Sequence, residues 1–482
     1  MSASNTIDLS LFASRIAAVC EEMGAVLRRA AFSPNIRDRL DYSCAVFDPS
    51  GRLSAQAAHI PVHLGSMAYA MGQIISARDW TPGEMVALND PFLGGTHLPD
   101  VTVIAPLFVD GRLVAFAANR AHHADIGADS PGSMPLSTRF DQEGLVIPPT
   151  RIAADGRIDE PAFARLLQPM RNPATARGDF AAQISANRVG LRRMEELIAR
   201  DGADGFLHSL AEYNDYARRL AAQALAAIPN GRYQSTDTLD DDGQGNTDLA
   251  IACALSVQDG RVAVDFTGSA AQTAGNVNCP LPVTAAAVLY AFRCLMPGDV
   301  PGCAGAFHDI QVTAPPGSLL NARRPAAVAA GNVETSQRVV DAVFAALAQA
   351  LPGAIPAASL GTMNNLALGQ HGGDNPWDYY ETMGGGLGAG PRQAGASGVQ
   401  AHMTNTLNTP IEVLETHYPL RIHRYCLRAG SGGAGMHPGG NGLLREIEFL
   451  APARYTLLTE RRRRPPWGLC GGQAGACGLN SL

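Results

Sequence analysis

The sequence predicts a mixed α/β (α+β) chain in which antiparallel hairpins carry packed helices and the C-terminal half turns glycine-rich. Three observations predict it. Apolar runs joined by Asp110-Gly111, and again by Asp259-Gly260, carry the strongest short-range hairpin signal, because glycine supplies the positive φ such a turn needs. Elsewhere apolar residues recur at spacings of three and four, the period of a helix packed on one face. From about Gly384 the chain strings together GGGLGAG, GSGGAG and GGNG.

Taken in order, residues 7–30 read as an amphipathic helix, with Phe12, Ile16, Val19, Met23, Val26 and Leu27 on the packed side. A strand follows at Tyr42–Asp48 and closes on Pro49-Ser50-Gly51. His59 and His63, in HIPVHLGSM, precede an apolar helix at Leu64–Ala77, and Pro61 between them predicts a turn or an extended segment. The main hairpin pairs Val101–Val109 with Arg112–Ala118. A short strand is expected at Gly144–Pro149, helical structure over Glu160–Arg200, and a further helix from Phe206 to Ile228. Pro229-Asn230-Gly231 then divides the chain into an N-terminal metal-site domain, 1–229, and a C-terminal α/β domain, 230–482. The second opens with the hairpin Leu249–Val257/Arg261–Phe266, followed by helices at Thr284–Leu295 and Ser336–Leu351. Glu334 and Thr335 stand at the start of the latter, as caps or as catalytic groups. Gly430–Gly435 matches GxGxxG in form, but Met436-His437-Pro438-Gly439 follows where a dinucleotide fold needs a helix, so dinucleotide binding is rejected.

Composition narrows the function. A chain of 482 residues has room for two or three domains, and a formal charge of −7 argues against a nucleic-acid binder. All 37 basic residues are arginine. A P-loop lysine, a Schiff-base lysine and a carboxylated lysine bridging two metals are therefore excluded. Nine cysteines without a CxxC pair read as free thiols of a reducing compartment. With no secretory leader pattern and no apolar run near ~18 residues, a cytoplasmic chain without a membrane span is expected. GxSxG is absent, which disfavours a serine nucleophile.

The strongest functional signal lies at the mouth of the first hairpin. His97 and Asp100 stand just before its first strand, and His122, His123 and Asp125 just after its second. Folding about Asp110-Gly111 brings both clusters to one end, whatever the register to within a residue or two. Imidazoles and carboxylates without a thiolate suit Mn²⁺, Fe²⁺ or Zn²⁺ in an open catalytic site. Gly94, Gly95 and Gly127 permit close backbone approach. The alternative is a polar strand-end cluster in which each histidine is satisfied by a backbone carbonyl. In the second half, Glu415 of TNTLNTPIEVLETHYPLRIHRY is a candidate general base or an exposed strand-end carboxylate.

NDPFLGGTHLPD, ANRAHHADIG-x-x-SPGSMP and GNVETSQRVVDAV together resemble the hydantoinase B/oxoprolinase family, over a stretch from about Asn35 to the C-terminus. That family includes ATP-dependent N-methylhydantoinase, oxoprolinase and lactamase subunits and the related acetone and acetophenone carboxylase subunits. The resemblance implies a hydantoinase B-like fold and a divalent metal (Mn, Zn or Fe) held by Asp41, His97, Asp100 and His122. It places His59 and His63 at the substrate pocket and a motif like that of Glu415 near the active site; otherwise these histidines are structural. His123, beside the ligands, is a candidate catalytic proton-transfer group. The implied activity is hydrolysis of a cyclic amide such as a hydantoin or lactam. ATP would be used by a separate hydantoinase A-like subunit, because this chain has no recognisable ATP site, and a hetero-oligomer follows. A ketone carboxylase subunit and a non-catalytic scaffold with a structural metal are the alternatives. Family members commonly continue past the point matching Leu482, so the chain is expected to be a short homologue or a truncated one.

Overall fold

The computed structural model describes residues 3–57, 59–371 and 376–482. Its N-terminal half is built on strands β1 (Tyr42–Phe47), β2 (Leu53–Ala57), β3 (Met85–Leu88), β4 (Asp100–Val109), β5 (Arg112–His122), β6 (Thr150–Ala154) and β7 (Arg157–Ile158). They form one seven-stranded sheet in the order β2-β1-β5-β4-β3-β6-β7, every neighbouring pair antiparallel. Helices α1 (Ala3–Ala30), α2 (Pro34–Arg37), α3 (His63–Ile74), α4 (Glu160–Leu167) and α5 (Pro173–Ala226) surround it.

Strand alternation decides what each face buries. Cys44, Val46, Ala115, Ala117 and Ala121 pack under α1 and α5, against Ile16, Cys20, Met23, Ala182 and Ala186. Ala45, Phe47, Ile104, Phe116 and Ala118 turn to the other face and meet Met67, Ala70, Met71 and Ile74 of α3. The β4–β5 turn uses Asp110 (φ 49°) and Gly111 (φ 76°), the two positive-φ positions that the Asp-Gly pair predicts. The register does not run evenly from there. A bulge between Leu107 and Phe108 shifts the pairing by one residue, so Asp100 lies opposite His122 and the two share the α3 face.

The second half holds a four-stranded sheet of β8 (Gly231–Asp241), β9 (Thr247–Gln258), β10 (Arg261–Asp265) and β11 (Ile310–Thr313) in the order β11-β10-β9-β8. Helices α6 (Leu281–Arg293) and α7 (Ser336–Ala350) pack on it. A three-stranded sheet follows, β12 (Asn365–Gln370) between β13 (Trp377–Thr382) and β16 (Arg454–Leu458). After α8 (Ile411–His417), β14 (Leu420–Arg428) and β15 (Gly442–Phe449) make a separate hairpin. The buried Arg445–Glu381 ion pair pins that hairpin to β13.

One expectation changes. Gly144–Pro149 is not a strand: Pro148 and Pro149 lack the N–H that pairing needs, and regular pairing begins only at Thr150. Ile147 instead exchanges hydrogen bonds with Asn89, its N–H on Asn89 Oδ1 at 2.7 Å and its carbonyl on Asn89 N at 3.1 Å. Around the division expected at residue 229, Ala217, Ala221, Leu225 and Ile228 pack in the same core cluster as β9 and α7. Of the two predicted helical runs before residue 229, Glu160–Arg200 covers α4 and the first part of α5, and Phe206–Ile228 falls on the rest of α5, beyond Gly202 at φ 73° and ψ 161°. Among the described residues, no helix is long and apolar enough to cross a membrane.

Candidate metal centre

Three neighbouring strands set a row of candidate ligands. The His122 N–H donates to the Asp41 carbonyl at 3.0 Å, just ahead of β1, while Asp100 pairs with His122 from β4. Asp41 enters the row through Leu40, a non-glycine residue held at φ 59°. His97 reaches the same place from the loop before β4. Asn89 fixes that loop with its Nδ2 on the carbonyls of Leu98 (2.7 Å) and Leu145 (2.9 Å). Gly94, at φ 98°, passes so close to α3 that a Cβ would sit 2.3 Å from the Ala70 Cα, so only glycine fits.

Side-chain geometry narrows the row to a centre. His97 Nε2 and His122 Nδ1 lie 3.3 and 3.4 Å from Asp100 Oδ1, and Asp41 Oδ2 lies 3.7 Å from His122 Nδ1. One donor atom each from His97, Asp100 and His122 falls within 4.8 Å of the others, and all three residues are buried. Yet both ring nitrogens of His97, Nε2 of His122 and Oδ1 of Asp100 have no hydrogen-bond partner. Buried polar atoms are normally satisfied, and leaving each one bare costs ~1–3 kcal/mol. The three residues that carry them also line a cavity of about 20 Å³, room for an ion or a single water. Nitrogen and oxygen donors converging on an ion-sized space fit a divalent metal of the Mn, Fe or Zn kind.

Electrostatics couple the three groups. Burial opposes charge on His97, but the Asp100 carboxylate outweighs it and holds that imidazole above its usual value. Burial lowers His122. Asp100 resists the upward push of burial because His97, His122 and His63 all face it, and it stays well below the ordinary carboxylate range.

The second half closes the cavity. Asn332, Val333, Met363, Tyr380, Thr382 and Thr404 line it opposite the ligands. Tyr380 stacks on the His122 ring, 4.5 Å between centres and 13° between planes, and the Arg39 guanidinium lies 4.6 Å from the same tyrosine ring. Asn332 belongs to a π-helical turn, Gly331–Thr335, that leads into α7. No local pattern marks Tyr380 or Asn332 as site residues; only their position in the fold does.

Other predicted site residues separate. His63 joins the centre, with Nε2 3.5 Å from Asp100 Oδ2. His59 does not line the cavity and packs its ring against Tyr42, 4.7 Å between centres. His123, expected as a catalytic group, follows His122 onto the opposite face, where Nε2 meets Gln183 Oε1 at 2.9 Å and the ring packs on Phe180. Asp125 also turns away from the ligands and ties down a loop, accepting the N–H groups of Gly127 (2.8 Å) and Arg171 (2.5 Å). Glu415, expected as a candidate general base, is exposed, does not line the cavity, and accepts the Ile422 N–H at 2.7 Å where β14 begins. Thr335 makes no side-chain cap, its hydroxyl going to the Val277 carbonyl, and burial raises Glu334 well above an ordinary carboxyl.

Comparison with known proteins follows the same lines. The family model for hydantoinase B/oxoprolinase matches residues 5–482. The chain is 40% identical to 5-oxoprolinase 1 of Arabidopsis thaliana over 99% of its length, yet spans only 39% of that protein. It is 31% identical to the B-type subunit of a putative D-/L-hydantoinase from Pseudomonas sp., covering 96% of this chain and 81% of the other. Among solved structures, the ATP-dependent caprolactamase of Pseudomonas jessenii superposes with a TM-score of 0.91 at 28% identity, covering 99% of this chain and 88% of that one. Acetone carboxylase shares the fold, with a TM-score of 0.88 at 21% identity over 98% of this chain and 66% of the other. By sequence over nearly its whole length, and by fold, the chain belongs to the hydantoinase B/oxoprolinase family.

Proposed function

We propose that this chain is the metal-bearing subunit of an ATP-dependent hydrolase of cyclic amides, acting in the cytoplasm beside a separate ATP-binding subunit of hydantoinase A type. The observation that carries the reading is that one donor atom each from His97, Asp100 and His122 falls within 4.8 Å of the others beside an ion-sized cavity that these residues line. The names of the relatives, an oxoprolinase, a hydantoinase subunit and an ATP-dependent caprolactamase, support ring opening of an amide. At 21% identity the carboxylase likeness speaks to the fold alone.

An unactivated amide resists water, and phosphorylation of its oxygen by the partner makes a far better electrophile. His97, Asp100 and His122, with Asp41 beside them, would hold the divalent ion, which supplies Lewis-acid polarisation and a lowered pKa for an attacking water. Tyr380 keeps the His122 ring in place, and Val333 and Met363 help to keep bulk water out.

The test is reconstitution with the ATP-binding subunit and assay of hydantoin and 2-pyrrolidone opening. Turnover is expected only with both subunits and ATP, and His122→Ala is expected to lose it while the complex still assembles. Ring opening by this chain alone without ATP overturns the division of labour. Uptake of labelled bicarbonate into product points instead to a carboxylase. Loss of assembly together with turnover in His122→Ala marks the metal as structural.

A further inference from the structure

The two oxygens of Asp100 are not equivalent. Oδ1 faces His97 and His122 and has no donor, whereas Oδ2 takes the Thr96 hydroxyl and has His63 Nε2 at 3.5 Å. His63 is fixed from behind: its Nδ1 lies 3.0 Å from Ser43 Oγ, and that oxygen already receives the Ile60 N–H at 3.4 Å. Ser43 is fully buried, so its own hydroxyl hydrogen needs an acceptor inside the protein, and His63 Nδ1 supplies it. The imidazole proton then sits on Nε2, facing Asp100 Oδ2.

We infer that His63 is a positioning residue of the metal centre and not a substrate contact. Ser43 on β1 sets the His63 tautomer, and His63, at the first turn of α3, holds its Nε2–H 3.5 Å from the outer oxygen of Asp100, an electrostatic contact longer than a formed hydrogen bond. Oδ1 is thereby left turned toward the ion. The inference rests on reading His97, Asp100 and His122 as the centre. Outer partners of this kind typically matter about 10–100-fold in metal affinity.

The experiment uses the full chain, stripped of metal and checked by melting, with chelator competition for Zn²⁺ and the visible absorption of bound Co²⁺ as readouts. His63→Phe is expected to weaken Zn²⁺ binding about 10–100-fold. His63→Gln should regain most of that loss, because its carboxamide N–H replaces the Nε2 donor, and its Co²⁺ bands should match those of the unaltered protein. Shifted Co²⁺ bands in His63→Gln, with affinity as poor as in His63→Phe, would make His63 a ligand. Unchanged affinity in both variants would return it to the substrate pocket. Should His63→Phe not fold, Ser43→Ala serves instead: a smaller loss of affinity is expected, and no loss overturns the inference. An unaltered protein that binds neither ion removes the centre itself and the inference with it, a result distinct from losses confined to the variants.

Discussion

Two clusters of buried charge sit in this molecule, and they are finished to different degrees. One joins β8, α7 and the segment after β16: Asp341 takes His402 Nε2 at 2.9 Å on one oxygen and Arg461 at 2.7 Å on the other. Asp237 holds Arg338 and Arg461 at 3.3 Å each and the Trp467 indole N–H at 3.2 Å, and Glu460 meets Arg338 at 2.9 Å. Both oxygens of Asp237 and of Asp341 have donors. The other cluster sets the Asp100 carboxylate between the imidazoles of His97 and His122 and leaves Asp100 Oδ1 and ring nitrogens of both histidines bare. Charge of the first kind, with its Asp237 and Asp341 oxygens all paired although the Nε atoms of Arg338 and Arg461 stay without a partner, holds a chain in place. Bare charge of the second kind awaits something from outside the chain.

That contrast breaks most visibly if both clusters are cut. His97→Ala/Asp100→Ala should abolish stoichiometric metal by mass spectrometry, yet the stripped variant should unfold within about 1 kcal/mol of the stripped parent, since unsatisfied groups leave with the side chains. Arg461→Ala should do the reverse in urea unfolding. It should lose roughly 3–5 kcal/mol, because Asp341 and Asp237 remain buried with a partner gone, and still gain about 2.7 kcal/mol from an ion at a hundred times its Kd. Equal losses in both variants would erase the distinction.

Glu143 sharpens it on a smaller scale. Its Oε1 accepts Ser137 Oγ and the N–H groups of Val328 and Ala329, while Oε2 is buried and unpartnered, and burial pushes this carboxyl from 4.5 up to about 7. The folded protein holds the proton to higher pH than the unfolded chain does. The contribution of Glu143 is therefore complete below about pH 4.5 and is lost as pH rises through about 7, a span of about 3 kcal/mol. Glu143→Gln, which copies the protonated carboxyl, should remove that part of the pH slope of unfolding free energy. An unchanged slope would show that Glu143 is ionised throughout.

Much of this was legible in the sequence for local reasons. Asp110-Gly111 and Asp259-Gly260 specify their turns within a few residues, and the convergence of His97 and Asp100 with His122 needs only the first of them. The choice between His122 and His123 was not legible from spacing. It depends on the bulge at Leu107/Phe108, which sets the face that Asp100 shares and which no residue there announces. Asp125 and Glu415 have the right chemistry in the right neighbourhood, but each is used up by backbone N–H groups. Tyr380, Asn332 and Thr404 were beyond reach for a different reason: they come from elements far along the chain, and only docking of the second half gives them a role.

The stacking of Tyr380 on His122 also has a consequence in time. The four candidate ligands all lie within the first 122 residues, whereas the ring that covers them comes from residue 380. Cup and roof thus belong to opposite halves of the chain. An ion held in the cup would leave or exchange only when the second half lifts from the first, so its exchange would be slow and would quicken as the two halves open.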